Sequence, residues 1–275
     1  MLIWKNTSTL AGFEEGLNFT NQKKVAEIAV LGSKSISLKE FPKLKGIFRA
    51  GISTDNVPTR EAEDLDIMIR YPSQKTKDII YEETANFTCS LIFKVFFSET
   101  GTVDPWRKQS RTALSQNRLL VIGMGNIGKR VYKKMHPFME VDSFDIIHNE
   151  VIQLKEKIRN AYVISLHIPM SDENTSFIDT QKLSWMQENS VLINTARANL
   201  VNENALYIEL KSGRLRAAFD VFWTEPYQGK LMQLPENIFL KTPHVASNCV
   251  EFRYGCRVDL DKMTEKIKGN QTKTF

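Results

Sequence analysis

Leu119-Leu120-Val121-Ile122-Gly123-Met124-Gly125-Asn126-Ile127-Gly128 decides the fold of this chain. Four apolar residues form a strand buried on both faces, and three glycines in the order G-x-G-x-x-G follow without a gap. A helix over residues 126–135 leaves the turn. Glycine is common, so the pattern alone is weak, and its setting between strand and helix gives it meaning. The first glycine makes the tight turn. The second lets the backbone approach a pyrophosphate, and the third packs the helix close to the strand. The N-terminal end of that helix offers N–H groups and a positive dipole end to phosphates. The stretch is expected to bind a dinucleotide through Gly123, Gly125 and Gly128. The bland alternative is a glycine-rich connection without a ligand.

Outward from the turn, short apolar runs alternate with longer periodic ones. Strands are expected over 139–144, 161–166, 191–194, 215–222 and 238–240. Helices are expected over 151–159, 180–187 and 203–211, the last closed by Gly213. This alternation describes a parallel sheet with helices on both faces. Further toward the N-terminus, strands are expected over 25–31, 44–48 and 67–70, with loops at 51–58 and 64–66. Residues 84–97 are apolar almost all round and read as a helix buried between layers. The loop 98–115, with Gly101, Pro105 and Trp106, marks a boundary. Residues 251–269 are charged and helix-compatible.

Asp145 closes the second strand of the central sheet, close to the ~20-residue spacing at which an acidic residue meets the adenosine ribose. A carboxylate there repels a 2′-phosphate, which favours NAD over NADP. Asp142 is the rival, but its place inside the strand points it elsewhere. Three polar groups follow at later strand ends: Arg197, Glu225 and His244. In open parallel sheets the ligand crevice lies outside the carboxyl ends of the strands, the side on which the glycine turn holds a cofactor. Reduction of a 2-keto acid needs a hydride at C2 and a proton at the carbonyl oxygen. Histidine suits the proton step, a nearby carboxylate favours its imidazolium form, and the planar fork of an arginine grips a carboxylate. The three are therefore candidate catalytic residues: His244 as acid/base, Glu225 as its partner, Arg197 as anchor of the substrate carboxylate and carbonyl. Singly, each also reads as an ordinary loop residue.

These motifs, in this order, resemble the D-isomer-specific 2-hydroxyacid dehydrogenase family, with a slight lean toward its phosphoglycerate and hydroxypyruvate-type members. The resemblance runs from about Leu44 to Arg253. It is carried by the glycine stretch, Ser165-Leu166-His167-Ile168-Pro169, Ile193-Asn194-Thr195-Ala196-Arg197, Phe219-Asp220-Val221-Phe222-Trp223-Thr224-Glu225-Pro226 and Thr242-Pro243-His244. It implies further cofactor contacts. Asn126 and Ile127 fall at the pyrophosphate, Ile168 and Pro169 along the adenosine half, and Asn174 just beyond. Thr195, Ala196 and Asp220 fall around the nicotinamide. The loop at Gly51, Ile52 and Ser53 matches the one whose backbone N–H groups meet the substrate carboxylate. The D-stereochemistry and a homodimer built through the cofactor domain are likewise implied by the resemblance alone. The chain departs from the family at Ser53 and Ala198, where glycine is common, and at Ser247 and Cys249, which replace the usual Gly and Thr. Its N-terminal part is also shorter than usual, and its opening strands are poorly recognisable.

Composition adds bounds. With 275 residues, 42% hydrophobic and 25% charged, the chain suffices for one large domain or two modest ones. No apolar run spans a bilayer, and the first residues lack the order of a signal peptide. Three cysteines, Cys89, Cys249 and Cys256, fit no zinc or CxxC spacing, so no metal is expected and the thiols point to a reducing, cytoplasmic setting. The net charge of +5 is scattered, and no helix-turn-helix, RNP or zinc-finger pattern accompanies it, so no nucleic-acid partner is expected.

The expected molecule is α/β, with two Rossmann-like domains and an active-site cleft between them. Residues 1–83 and 249–275 form a flavodoxin-like, discontinuous substrate domain. Residues 84–248 form a doubly wound parallel-sheet NAD-binding domain. The expected activity is hydride transfer between NAD(H) and a small D-2-hydroxy acid or 2-keto acid. An NADH-responsive regulatory protein of the corepressor kind, or a non-catalytic paralogue of the same fold, is the alternative.

Overall fold

A computed structural model describes residues 1–98 and 100–271. The chain separates into two compact units, Met1–Ile80 with Asn248–Phe275, and Tyr81–Ser247. The sequence expectation had placed these divisions at 83/84 and 248/249.

In the first unit the chain forms β1 (Leu2–Lys5), β2 (Asn18–Phe19), β3 (Ile28–Leu31), β4 (Gly46–Arg49), α1 (Thr59–Asp64) and β5 (Met68–Arg70), and then enters α2 (Gln74–Phe96). The five strands are all parallel in the order β2-β1-β3-β4-β5. That is the flavodoxin-like order. β3 and β4 are buried along their whole length, and Ala29, Leu31, Ile47, Val57 and Ala62 close one core. The expected strand over 25–31 is shorter because Lys23–Val25 turn as a 3-10 helix. β1 and β2, which the sequence pattern did not reveal, are only four and two residues long.

Helix α2 starts ten residues before the expected position of 84, at Gln74. Its first turn carries polar residues that an apolar stripe does not announce. A distant carboxylate secures them instead. Asp259 accepts from Ser73 N–H and from Thr76 Oγ1, both at 2.8 Å.

The second unit continues through a short hairpin, β6 (Gly101–Thr102) and β7 (Arg107–Lys108), into β8 (Arg118–Ile122), α3 (Gly128–Met135), β9 (Glu140–Phe144), α4 (Val151–Asn160) and β10 (Val163–Leu166). Then follow α5 (Thr180–Trp185), β11 (Val191–Asn194), α6 (Glu203–Lys211), β12 (Arg216–Phe219) and β13 (Phe239–Lys241). The final helix, α7 (Val250–Gln271), returns to the first unit. Six parallel strands line up as β13-β12-β11-β10-β8-β9, so the strand order reverses between β8 and β10. Alternate residues of each strand serve opposite faces. Leu120, Ile122, Ile164 and Leu192 pack with Leu154, Ile158, Leu183 and Leu206 of α4, α5 and α6. Leu119, Val121, Val163 and Ile193 pack with Ile92, Val131 and Met135 of α2 and α3. Burial on both faces is why these strands are continuous apolar runs rather than alternating ones.

Candidate functional site

The register of the second sheet makes the site. Ile122 pairs with Phe144 and Leu166, Leu166 with Asn194, Asn194 with Phe219, and Phe219 with Lys241. The residue after each of these partners, namely Gly123, Asp145, His167, Thr195, Asp220 and Thr242, therefore leaves its strand on one common edge. Positions far apart in sequence become neighbours because the strands end together.

The glycines show three different constraints. Gly123 has φ +97°, and a Cβ there would lie 2.7 Å from the His167 backbone. Gly128 is held so close to the turn that a Cβ would meet the Gly123 carbonyl oxygen at 1.8 Å. Gly125 differs: a Cβ there would meet nothing within 4 Å. Packing does not demand its missing side chain, so the bare backbone is left for something that approaches from outside. No side chain caps α3 at Ile127; the Lys129 and Arg130 N–H groups reach the Gly125 and Ile127 carbonyls, and the helix opens with Gly128 at the same place. These residues fit a dinucleotide pyrophosphate.

Asp145 closes back on this turn. Its Oδ2 accepts from Met124 N–H at 2.7 Å and its Oδ1 from Ile147 N–H at 3.0 Å. Burial raises its carboxyl, but those two N–H donors and the charges of His148 and Lys129 outweigh it, leaving the group below the ordinary aspartate value. The rival Asp142 is occupied otherwise, since Lys157 Nζ lies 2.7 and 2.9 Å from its two oxygens. Beyond β10, Ile168 is half-buried and Pro169 exposed, and Asn174 Nδ2 donates to the Pro169 carbonyl at 2.9 Å, bracing that loop.

The later strand ends are built on buried polar anchors. Asn194 accepts from Ala196 N–H at 3.0 Å and donates to the Arg197 carbonyl at 2.8 Å, which shapes the turn that carries Arg197. Arg197 is extended, with φ −145°, and its Nη1 donates to the Ala196 carbonyl at 2.8 Å. Ala198, where glycine is frequent in the family, is buried in a 3-10 turn without left-handed backbone. Thr195 is buried, with its hydroxyl 2.8 Å from that of Thr88 on α2.

His244 and Glu225 meet. His244 Nδ1 lies 2.9 Å from both Glu225 oxygens, and each side chain keeps about a third of its surface (31% and 30%) exposed. Burial raises the Glu225 carboxyl. The bond to His244, its charge, the Phe222 N–H and the charge of Arg197 more than offset this, so the group lies below the ordinary glutamate value. Glu225 is thus an anion that orients one ring nitrogen and leaves the other available for proton transfer. Asp220, which the resemblance puts beside the nicotinamide, accepts on its two oxygens from the His244 turn: Thr242 Oγ1 at 2.6 Å, Val245 N–H at 2.9 Å and Ala246 N–H at 2.8 Å.

Sequence reasoning missed Asn194, Thr88, Thr242 and His167. A buried asparagine at the end of an apolar strand was the only signal for the first. His167 sits beneath the glycine turn, 2.8 Å from Ser165 Oγ through Nε2, and desolvation pushes its imidazole down to about 3, so it is neutral.

The candidate substrate loop belongs to the first unit. Arg49 is buried there and donates through Nε to Asn56 Oδ1 at 3.0 Å, while Asn56 Nδ2 donates to the Gly32 carbonyl at 2.7 Å. A Cβ at Gly51 would lie 2.3 Å from the Arg49 guanidinium. Ser53 is outside the left-handed region, so serine is not strained at that position.

Residues 98–246 match the model of the D-isomer specific 2-hydroxyacid dehydrogenase NAD-binding domain. The chain belongs to this family. It is an NAD-dependent oxidoreductase of 2-hydroxy acids and their 2-keto counterparts. The dehydrogenase is 28% identical over 242 residues to hydroxypyruvate reductase of Thermotoga maritima, covering 82% of this chain and 76% of that protein. It is also 28% identical to D-3-phosphoglycerate dehydrogenase of Methanocaldococcus jannaschii over 84% of its own length but only 47% of that protein. In structure it resembles D-lactate dehydrogenase of Aquifex aeolicus, solved with NAD and lactic acid, with a TM-score of 0.81 at 22% identity over 100% of this chain and 97% of that one. Among the described residues, no helix is long and apolar enough to cross a membrane and no cluster of side chains could hold a metal ion.

Proposed function

We propose that this dehydrogenase interconverts a D-2-hydroxy acid and its 2-keto acid with His244 as acid/base, Glu225 as its partner and Arg197 as carboxylate anchor. The observation that carries the reading is the His244–Glu225 contact at 2.9 Å, on the sheet edge that also bears the glycine turn. Bound NADH supplies the hydride. Arg197 grips the substrate carboxylate and polarises the carbonyl. The loop at Gly51, Ile52 and Ser53 is the substrate-binding segment of the first unit. His244 gives its proton to the carbonyl oxygen during reduction and takes it back during oxidation. Glu225 compensates the charge on the ring in its protonated state.

On the cofactor side, Gly123 to Gly128 receive the pyrophosphate and Asp145 the ribose hydroxyls. Ile168, Pro169 and Asn174 flank the adenosine half, and Thr195, Ala196 and Asp220 stand toward the nicotinamide. Asp145 makes NAD the preferred dinucleotide. The hydroxypyruvate and phosphoglycerate relatives favour a small, polar 2-keto acid.

The experiment is NADH oxidation against a panel of 2-keto acids. Turnover is expected with at least one. His244→Ala should reduce kcat by about 10²- to 10⁴-fold while NADH still binds. Equal turnover in that variant would end the acid/base assignment, and tight NADH binding without turnover of any acid would end the enzymatic reading.

The same proposal includes a homodimer through the cofactor unit. It is supported by the exposed apolar side chains of Val103 and Trp106 on the β6–β7 hairpin and of Phe97 and Phe138 in the same unit. Light scattering should give twice the chain mass, and Trp106→Glu should lower it. Free thiols at Cys89, Cys249 and Cys256 support a cytoplasmic setting.

A further inference from the structure

We infer that Tyr227 is a positioning residue: its bond to Glu203 holds the loop that carries Glu225 against the segment that carries Arg197. The inference rests on the reading of His244, Glu225 and Arg197 as the reacting set. Glu225 lies in the long connection between β12 and β13, outside the strand pairing. Two aromatic side chains flank it at equal spacing, Trp223 before and Tyr227 after. Both reach one short stretch of another connection. Trp223 Nε1 donates to the Val201 carbonyl at 3.1 Å, and the Tyr227 hydroxyl donates to Glu203 Oε1 at 2.6 Å.

That stretch begins at Arg197. Leu200 N–H reaches the Arg197 carbonyl at 3.3 Å, Val201 N–H the Ala198 carbonyl at 2.9 Å, and Asn202 caps α6 by accepting from Ala205 N–H at 2.9 Å. Residues 197–203 are thus a continuous turn that runs into a helix, and the two tethers fasten the Glu225 loop to it. Arg197 follows β11 and Glu225 follows β12. The sheet register ends before either residue, so the tethers set their spacing. The charge of Arg197 is felt at Glu225.

Tyr227 also acts on Glu225 from a second side. Its ring stacks on that of Phe222, with centroids 5.2 Å apart and an interplanar angle of 22°. The Phe222 N–H in turn donates to Glu225 Oε1 at 3.2 Å. The phenol is built into the loop. Leu231 N–H donates to its oxygen at 3.4 Å, and a Cβ at Gly229 would lie 2.2 Å from that oxygen. Burial, and next the bond to Glu203, push the Tyr227 phenol up to about 12, so the hydroxyl keeps the proton that it donates. A phenylalanine would fill the same space and keep the stack, but it has nothing to give Glu203. Misplacing a positioned group by about 1 Å can cost on the order of 100-fold in rate, so a loosened Glu225 loop is expected to show in turnover.

The test compares Tyr227→Phe, Glu203→Ala and Glu203→Gln in the full chain. Measured are kcat and its pH profile with a turned-over keto acid, NADH affinity by fluorescence and thermal stability. In cofactor-free protein, the proton resonance of the bond between His244 and Glu225 is followed as well. Tyr227→Phe should lower kcat by about five- to tenfold, with NADH affinity within about twofold of the parent. The pH profile of kcat for reduction should move toward lower pH, because a carboxylate held less closely favours the imidazolium less. The bridging proton resonance should move upfield. Glu203→Ala should reproduce these changes. The double variant should be no worse than either single one, as two residues acting through one contact require. Glu203→Gln keeps an acceptor for the hydroxyl and should recover kcat to within about threefold of the parent.

A lower thermal transition in Tyr227→Phe, with kcat, its pH profile and the bridging resonance unchanged, would make the tether purely structural and overturn the inference. Additive losses in the double variant would also overturn it, as would a loss of kcat in step with NADH affinity. If Glu203→Ala does not fold, Tyr227→Phe and Glu203→Gln decide. Undiminished turnover in His244→Ala and Glu225→Gln would be a failure of the acid/base reading itself. Losses in those two variants with none in Tyr227→Phe would be a failure of this inference alone.

Discussion

The turn after β8 and the turn after β13 leave parallel strands of the same sheet, and both hold backbone in the left-handed region, Gly123 at φ +97° and His244 at φ +54°. In the first, glycine accepts that conformation without a Cβ penalty, and a second glycine at position 128 lets the helix close on the turn. In the second, a histidine occupies the costly region, and a carboxylate on another strand meets donors on both sides of it. One turn carries its geometry in its own residues. The other borrows it from Asp220 and Glu225. The glycine turn can therefore be specified locally, whereas the turn around His244 depends on the packed sheet.

The largest expected effect attacks the local turn. Gly128→Ala places a Cβ against a backbone oxygen that cannot give way, and it should destabilise the fold by more than about 4 kcal/mol, read as a lost or sharply lowered thermal transition. Glu225→Gln attacks the borrowed turn. It should lower kcat by about 100-fold with stability nearly preserved, because the ring keeps a partner of the same shape but loses its negative charge. A kcat within a factor of two of the parent would mean that the charge is not used.

Gly125→Ala separates binding from folding inside the first turn. Nothing in the protein meets the new Cβ, so stability should stay within about 0.5 kcal/mol. NADH affinity should fall by about tenfold, since the methyl group enters the space that the pyrophosphate needs. Unchanged affinity would remove the pyrophosphate from that place.

A pH titration gives a smaller effect with a definite sign. The Glu225 carboxyl lies below its ordinary value of 4.5, so its contribution is present above the unfolded value and is lost as pH falls through the lower, folded one. The parent should lose stability in that acid window faster than Glu225→Gln does. Parallel curves would show that the pair adds nothing to folding. The smallest effect is expected at Ser53→Gly. The serine is already at ease there, so glycine should cost under about 1 kcal/mol through the freer unfolded chain.

Much of the second sheet was legible because strands buried on both faces are runs of apolar residues. Val191–Asn194 and Glu203–Lys211 have the expected bounds. β1 and β2 were not legible, since they are too short to show a period and are defined by pairing with β3 and with each other. The start of α2 was missed for a related reason: Asp259 on α7 secures Ser73 and Thr76 from far along the chain. At the candidate site, spacing could name Arg197, Glu225 and His244 but could not bring Glu225 to His244. It placed Asp220 near the cofactor without showing that its oxygens serve Thr242, Val245 and Ala246.

The sequence by itself determined the α/β character with helices on both faces of the sheet, the glycine turn at Gly123 to Gly128 and the residue types proposed for proton transfer and carboxylate binding. Apolar periodicity and glycine placement act over a few residues, so these are local properties. Only the tertiary structure decided that Asp145 closes on the glycine turn while Asp142 pairs with Lys157, that His244 rests on Glu225, and that Asp220 gathers the turn around that histidine. These are contacts between different strands, turns and helices. They exist because the register brings six strands to one edge, and no single segment contains that information.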